Sequence, residues 1–498
     1  MRDSGATLPF RGAGNLRTHI SLCNNNIYTI IRLCNNSVVD PNQVNFFLSR
    51  RTLLKLGTAS VGASVMGLGN PSFGLAAPVR VPQPSGWLVG RWRTDPWARG
   101  AYAALPAGVP QKVRWQIAER LIQRRVAIAG EFCDWAYPGT VQGALRSGRQ
   151  TATLLDDDGV GVSGRRALVV GAGVAGLGAA TKLRAQGAEV TILEARDQVG
   201  GSIRTDLSWG TPIELGATWI HGVSGNPMVP ITRSAGLTLA PSDYSFDTRS
   251  IETGTYAPTA DKVRADLYDY LSEIEDADPA LRWSVAEWLR KEEWDAREPE
   301  KSWALNTLIT QEYSVDADVL GTHAYLEGKD DRGGDAFVLG GFQRAPENLA
   351  DDLDVRLNCA VDLVSANKRG VVVRELSGKL WKADIVVVAV PHALLKAGLP
   401  RITGLPKQTR RAVAQLRTGN LERVVLRFEE QWWKSFDVTA QGIGLVGGRW
   451  SEWYDVSANT GVPTLLGFCG GRAAEGMPDS DQAAASEAMN ELSRGFAR

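Results

Sequence analysis

The 498-residue chain is poor in the residues that build metal sites and cross-linked scaffolds, with five cysteines (Cys23, Cys34, Cys133, Cys359, Cys469) and four histidines (His19, His221, His323, His392). None of the cysteines has C-x-x-C spacing and the histidines are equally dispersed, so no metal ligand set is expected, and the spacing says nothing about disulfides. Net charge is also lacking: 55 lysines and arginines balance 55 aspartates and glutamates. That balance provides no electrostatic footprint for nucleic acid or for an acidic membrane surface, and it points to a small-molecule partner. Long apolar runs are missing too, since the most apolar stretch after Ser49 is broken by Gly57, Gly62, Gly67, Gly69 and Pro71 and would make a poor spanning helix. What is present is 44% hydrophobic residues over a chain long enough to bury two cores, so a two-domain protein is expected.

Near the start the chain reads "SRRTLLKLGTASVGASVMGLGNPSFGLAAP", with Arg50 and Arg51 followed by a mildly apolar run and small residues at Ala76 and Ala77. This is the layout of a twin-arginine export signal, assigned to residues 49–78, and it makes the twin-arginine machinery an expected partner. The destination is periplasmic or extracellular, or the membrane if the signal stays uncleaved as an anchor. Residues 1–48 are rich in asparagine and without helical or strand period; they read as an extension of uncertain role, with the true start nearer the signal.

From Arg166 the order is strand, glycine turn, helix, strand: "ALVV", Gly171-x-Gly173-x-x-Gly176, "LGAATKLRAQG", then "EVTILE" ending at Glu194. The first glycine allows a tight turn, the second lets backbone approach a pyrophosphate, and the third lets helix and sheet pack closely. Phosphate is expected at the helix N-terminus and the ribose hydroxyls at Glu194. The competing reading is a glycine turn in an ordinary βαβ unit.

The continuation "EARDQVGGSIRTD", with the doublet Gly200-Gly201, and "ELGATWIHG", with Gly216, Ala217, Thr218 and Trp219, resembles the flavin monoamine and polyamine oxidase family. The family's form is G-G-R. Ser202 stands here instead of that arginine, with Arg196 and Arg204 close by as substitutes toward phosphate. "GGDAFVLGGFQRAPENLADDLDVRLNCAVDLV" is similar to the family's return to the flavin domain and implies that Val361 meets the adenine. "ADIVVVAVPHALLKAG" reads as a buried parallel strand ending at Pro391.

In the family a "W-x-x-D-P-W-x-x-G-x-Y" segment and then "A-G-E" come after the last helix. Here they stand first: "GRWRTDPWARGAYAALP" from Gly90, "RVAIAGE" with Glu131, and "YPGTVQGALRSGR" from Tyr137. Two motifs in family order read as a circular permutation. The expected fold is α/β: a Rossmann-like (GR2-type) FAD-binding domain with a mixed α+β substrate domain, in permuted order. The flavin domain is expected from 79–155, 166–226 and 340–400, with a linker at 156–165. The substrate domain is expected from a helical part at 227–339 and from strands and a final helix at 401–498.

The resemblance implies bound FAD and oxidation of an amine to an imine by hydride transfer to flavin N5, with O2 as acceptor and H2O2 as product. Glu131 is implied at the ribityl or phosphate groups, and Thr140 and Val141 under the isoalloxazine. Tyr102, Trp219 and Tyr137 are candidate aromatic walls, against the alternative that such residues fill cores. In "GNLERVVLRF" Arg423 takes the place of a family lysine that holds water against N5; arginine keeps the charge but cannot give up a proton, so a different electron acceptor stays open. L-amino-acid oxidase, cyclic-amine dehydrogenase and a non-catalytic FAD-binding protein are the alternatives. The acids of "EGKDDRGGDAF" (Glu327, Asp330, Asp331, Asp335) read as a solvated loop rather than a polycation site.

Overall fold

The computed structural model describes residues 17–23, 26–32, 81–276, 282–329 and 332–497. The chain divides into two compact units, residues 1–47 and 48–498. In the first, Arg17–Cys23 pairs antiparallel with Asn26–Arg32, in register from Arg17↔Arg32 to Cys23↔Asn26. This corrects the expectation that the extension has no strand character: "THISL" and "IYTII" are rich in β-branched residues, which suit a pleated ladder. The export signal at 49–78 lies outside the described residues.

The second unit holds a five-stranded parallel sheet in the order Asp354–Arg356, Glu189–Leu193, Arg166–Val170, Ile385–Val388, Val126–Ile128. Every residue of Ile385–Val388 and of Val126–Ile128 is buried, as a parallel sheet covered on both faces requires. The helix Val141–Asp157 starts at Thr140, whose Oγ1 accepts from the Gly143 N–H, and it runs two residues into the expected linker. It packs against the fingerprint helix Val174–Ala185 through backbone. A Cβ on Gly148 would lie 1.9 Å from the Ala175 carbonyl oxygen, and one on Gly178 would lie 2.8 Å from that of Leu145.

A seven-stranded mixed sheet forms the second layer, in the order Thr255–Tyr256, Phe246–Ser250, Gly442–Val446, Glu452–Asp455, Thr464–Gly470, Leu421–Arg427, Gly86–Gly90. The stretch 227–339 is therefore less helical than expected. Phe246–Ser250 lies parallel to Gly442–Val446, and Thr238–Ser242 pairs with Asp335–Leu339. Phe246–Ser250 lacks clean alternation because Thr248 and Arg249 are buried polar residues, which hides its period from sequence. A third sheet carries Arg401–Thr403 parallel to Leu363–Ser365, so it runs past the boundary expected at residue 400.

Candidate active site

Between the sheets of the second unit lies a cavity of about 380 Å³. Its dinucleotide end is shaped by the fingerprint. Gly171 has φ +103°, and a Cβ there would lie 2.5 Å from the Ala389 carbonyl oxygen. Gly173 opens the fingerprint helix with no side-chain cap, which leaves its first N–H groups to a ligand. Gly176 does not line the cavity; its missing Cβ would stand 1.9 Å from the Gly171 carbonyl oxygen, so it allows helix and strand to close up.

Glu194 is buried at this end, with Oε2 accepting from the Ala172 N–H (2.6 Å) and Oε1 from the Arg196 N–H (2.9 Å). Burial raises its pKa against these donors. The Arg196 guanidinium is held by Asp95 through two bonds of 2.7 Å. Arg204, expected near phosphate, is not a lining residue; its side chain is half-exposed and comes within 3.9 Å of Asp95. Gly200, Gly201, Ser202, Cys359 and Val361 complete this end.

Toward the middle, Glu131 accepts from the N–H groups of Ala103 (3.2 Å) and Gly139 (3.1 Å). Burial pushes its carboxyl up to about 7, against the pull of Arg114. Thr140 and Val141 line the cavity beside it, as do Gly216, Ala217 and Thr218. Tyr102 directs its hydroxyl at the carbonyls of Glu312 (2.8 Å) and Gln311 (3.1 Å), while Tyr137 lies under the Arg146 guanidinium.

Arg423 is buried on the strand Leu421–Arg427 and donates from Nη1 to Thr218 Oγ1 (2.9 Å) and the Glu214 carbonyl (3.3 Å). Room for it comes from Gly90 on the neighbouring strand, where a Cβ would sit 2.7 Å from Arg423 Cγ. Burial lowers the guanidinium to about 10, which leaves it charged at neutral pH.

The far wall is aromatic. Trp219 packs on Phe337 (4.9 Å between centroids), Tyr454 (5.1 Å) and Phe468 (5.8 Å). Register puts Glu452, Phe468 and Arg423 in one row across three strands, with Tyr454 two residues on from Glu452 and so on the same face. Sequence reasoning missed Glu452, Tyr454 and Phe468. The stretch "SEWYD" runs polar, polar, aromatic, aromatic, polar, so no alternation marks which of its residues meet the cavity.

Two acids assigned to a solvated loop are buried. Glu327 forms a bidentate pair with Arg114 (2.6 and 2.8 Å). Asp335 accepts from His221 Nδ1 (2.7 Å), Tyr244 Oη (2.7 Å) and the Gly222 N–H (2.9 Å). Burial works to raise Asp335, but His221 beside it and the two other donors hold it below the usual range. The loop reading failed because the partners of both acids are remote in sequence; Asp330 and Asp331 lie outside the described residues.

The family model of flavin-containing amine oxidoreductases matches residues 67–155, 174–303 and 276–497. Probable polyamine oxidase 4 of Arabidopsis thaliana is 28% identical over 372 residues, covering 66% of this chain and 71% of that protein. Polyamine oxidase 3 of Oryza sativa subsp. japonica is 29% identical over 359 residues, covering 66% and 72%. In fold, wild-type putrescine oxidase bound to putrescine superposes with a TM-score of 0.55 at 22% identity, covering 66% of this chain and 82% of that one. An uncapped helix N-terminus at one end of the cavity and an aromatic wall at the other suit an extended flavin dinucleotide and an amine. With most of the chain matched, the protein belongs to the flavin-containing amine oxidoreductases, FAD-dependent enzymes acting on CH–NH groups.

Proposed function

We propose that the protein oxidises a polyamine or a related primary or secondary amine to an imine, which water then hydrolyses, with O2 as electron acceptor and H2O2 as product. The observation that carries this reading is the aromatic wall of Trp219, Tyr454 and Phe468, with Phe337 packed behind Trp219, in the cavity that the fingerprint opens. The names of the related polyamine oxidases support the substrate class. Bound FAD supplies the hydride acceptor, N5. For FAD, the chain offers backbone at Gly171, Gly173, Gly200 and Gly201, the carboxylates Glu194 and Glu131, the helix start at Thr140–Val141, and Val361. For the amine, Tyr102, Tyr137 and Trp219 supply walls that hold the α C–H in place and exclude water.

Anaerobic addition of polyamines, amino acids and cyclic amines tests this directly, with bleaching of the flavin band by a polyamine as the expected result. Bleaching by amino acids alone would move the assignment to an L-amino-acid oxidase, and bleaching by none to a binding protein. For the amine that bleaches, kcat/KM should rise with pH through the ionisation of the substrate ammonium, because a protonated nitrogen has no lone pair to drive hydride loss. A profile that stays flat from neutral to alkaline pH, with chemistry limiting, contradicts the mechanism.

Arg423 favours a second reading for the acceptor. A planar guanidinium pinned to Thr218 and the Glu214 carbonyl cannot hold a water against the flavin as a compact, rotatable ammonium does, so reduction of O2 is expected to be slow. Arg423→Lys should speed stopped-flow reoxidation at least several-fold. Equal rates in the two proteins would mean that the position does not govern oxygen.

We further propose that the chain is a circular permutation of the family order and is exported by the twin-arginine route. The permutation is supported by the partners of the opening stretch: Val126–Ile128 beside Ile385–Val388, Gly86–Gly90 beside Leu421–Arg427, and Val141–Asp157 leading directly into the first fingerprint strand. Export is supported by the Arg50-Arg51 pattern, and it suits an enzyme that takes up FAD before translocation.

A further inference from the structure

Arg114 lies on the short helix Lys112–Ala118, outside every motif in the sequence, yet its guanidinium is among the most buried groups of the chain. Its side chain is 1% exposed and that of its partner Glu327 is 3% exposed. Besides the bidentate pair, Nη2 donates to the Ala103 carbonyl and Nη1 to the Phe132 carbonyl, both at 3.1 Å. Both carbonyls belong to residues next to Glu131. Ala103 is also the residue whose N–H binds Glu131 Oε1, and Phe132 follows Glu131 in the chain. Arg114, Glu131 and Glu327 all line the one cavity.

We infer that Arg114 is a positioning residue: backed by Glu327, it fixes the place and the charge of Glu131 and thereby sets the pH range over which the chain holds FAD. This rests on the reading that Glu131 accepts, as a carboxylate, from the ribityl hydroxyls of the cofactor rather than facing its phosphates, where ionisation would weaken binding instead. Titratable groups lie on the elements around Glu131, among them Asp134 on the same turn, which is paired with Arg146. Arg114 favours its ionised form and Glu327 disfavours it. Cys133 on the same turn is pushed up by burial and stays a neutral thiol. His392, packed on the Phe132 ring at 5.6 Å, is lowered by burial to about 4 and is neutral near pH 7. Arg114 and Glu327 thus act on Glu131 in opposite directions.

The test is FAD affinity of the deflavinated protein, measured by flavin fluorescence from below to above the Glu131 midpoint of about 7. In the wild type, Kd should fall as pH rises through that midpoint. Arg114→Met should move the midpoint up by about one unit, within the usual effect of a close opposite charge. Glu327→Gln should move it down, and Arg114→Lys should bind FAD more weakly but with the midpoint near that of the wild type. A purely structural role would weaken binding at every pH without moving the midpoint, and that result overturns the proposal. If Arg114→Met does not fold, Glu327→Gln decides alone: an unmoved or raised midpoint overturns it. Glu131→Gln separates the two levels. If it removes the pH dependence while the other variants leave the midpoint in place, only the role of Arg114 fails. If it keeps both affinity and pH dependence, the placing of Glu131 on the cofactor fails.

Discussion

A chain lacking residues 80–155 is expected to be colourless and to aggregate, whereas one carrying the same residues after Arg498 through a short flexible linker should bind FAD and oxidise the same amines. The deletion removes Val126–Ile128 and Gly86–Gly90, which bares the edges of Ile385–Val388 and Leu421–Arg427, both largely apolar and buried. Open apolar edges template association. It also removes Glu131, Thr140 and Val141 from the cavity wall. Relocation leaves those contacts intact. Val81 and Val89 pack in the same apolar cluster as Leu492 and Phe496, so the segments to be joined already share a core. The remaining cost is loop closure, which varies slowly with linker length. Soluble yield and the flavin spectrum read the outcome; a deletion variant that is soluble, yellow and active would falsify the rearranged-order reading.

Gly148→Ala should be nearly as damaging, though it adds a single methyl group. The new Cβ would lie 1.9 Å from the Ala175 carbonyl oxygen and 2.8 Å from the Ala179 nitrogen, both backbone atoms of the fingerprint helix. No rotamer relieves that clash, so the helices Val141–Asp157 and Val174–Ala185 must part. Overpacking of a well-filled core costs about 1–3 kcal/mol and occasionally more. Here about 3 kcal/mol or more is expected, with FAD affinity falling alongside, because Val174 and Ala175 form the helix start at the cavity. Thr153→Ala, on the exposed face of the same helix, serves as control and should change stability little. Urea unfolding and FAD titration of both variants check this, and wild-type stability in Gly148→Ala would show that the helices do not cross at this point.

The fingerprint was legible because every part of it is local. Gly171, Gly173, Gly176 and Glu194 fall within one strand–helix–strand unit, and each has a backbone reason to be where it is. Glu131 and Thr140 were legible through resemblance, and Thr140 also as a cap ahead of a helical pattern. Arg204 shows the limit of proximity in sequence: two residues past Ser202, its side chain points to Asp95 rather than to the cavity.

By itself the sequence determined the dinucleotide unit, the family, and the identity of the residue at position 423, since these depend on residue type at short spacing. Only the tertiary structure decided which acids are solvated and which are buried. Glu327 meets Arg114 across 213 positions and Asp335 meets His221 across 114, distances over which no local pattern carries information. The aromatic wall was decided in the same way. Tyr454 and Phe468 face Trp219 because three strands set their register, and a strand shows which residues share a face but not which face the fold turns toward the cavity.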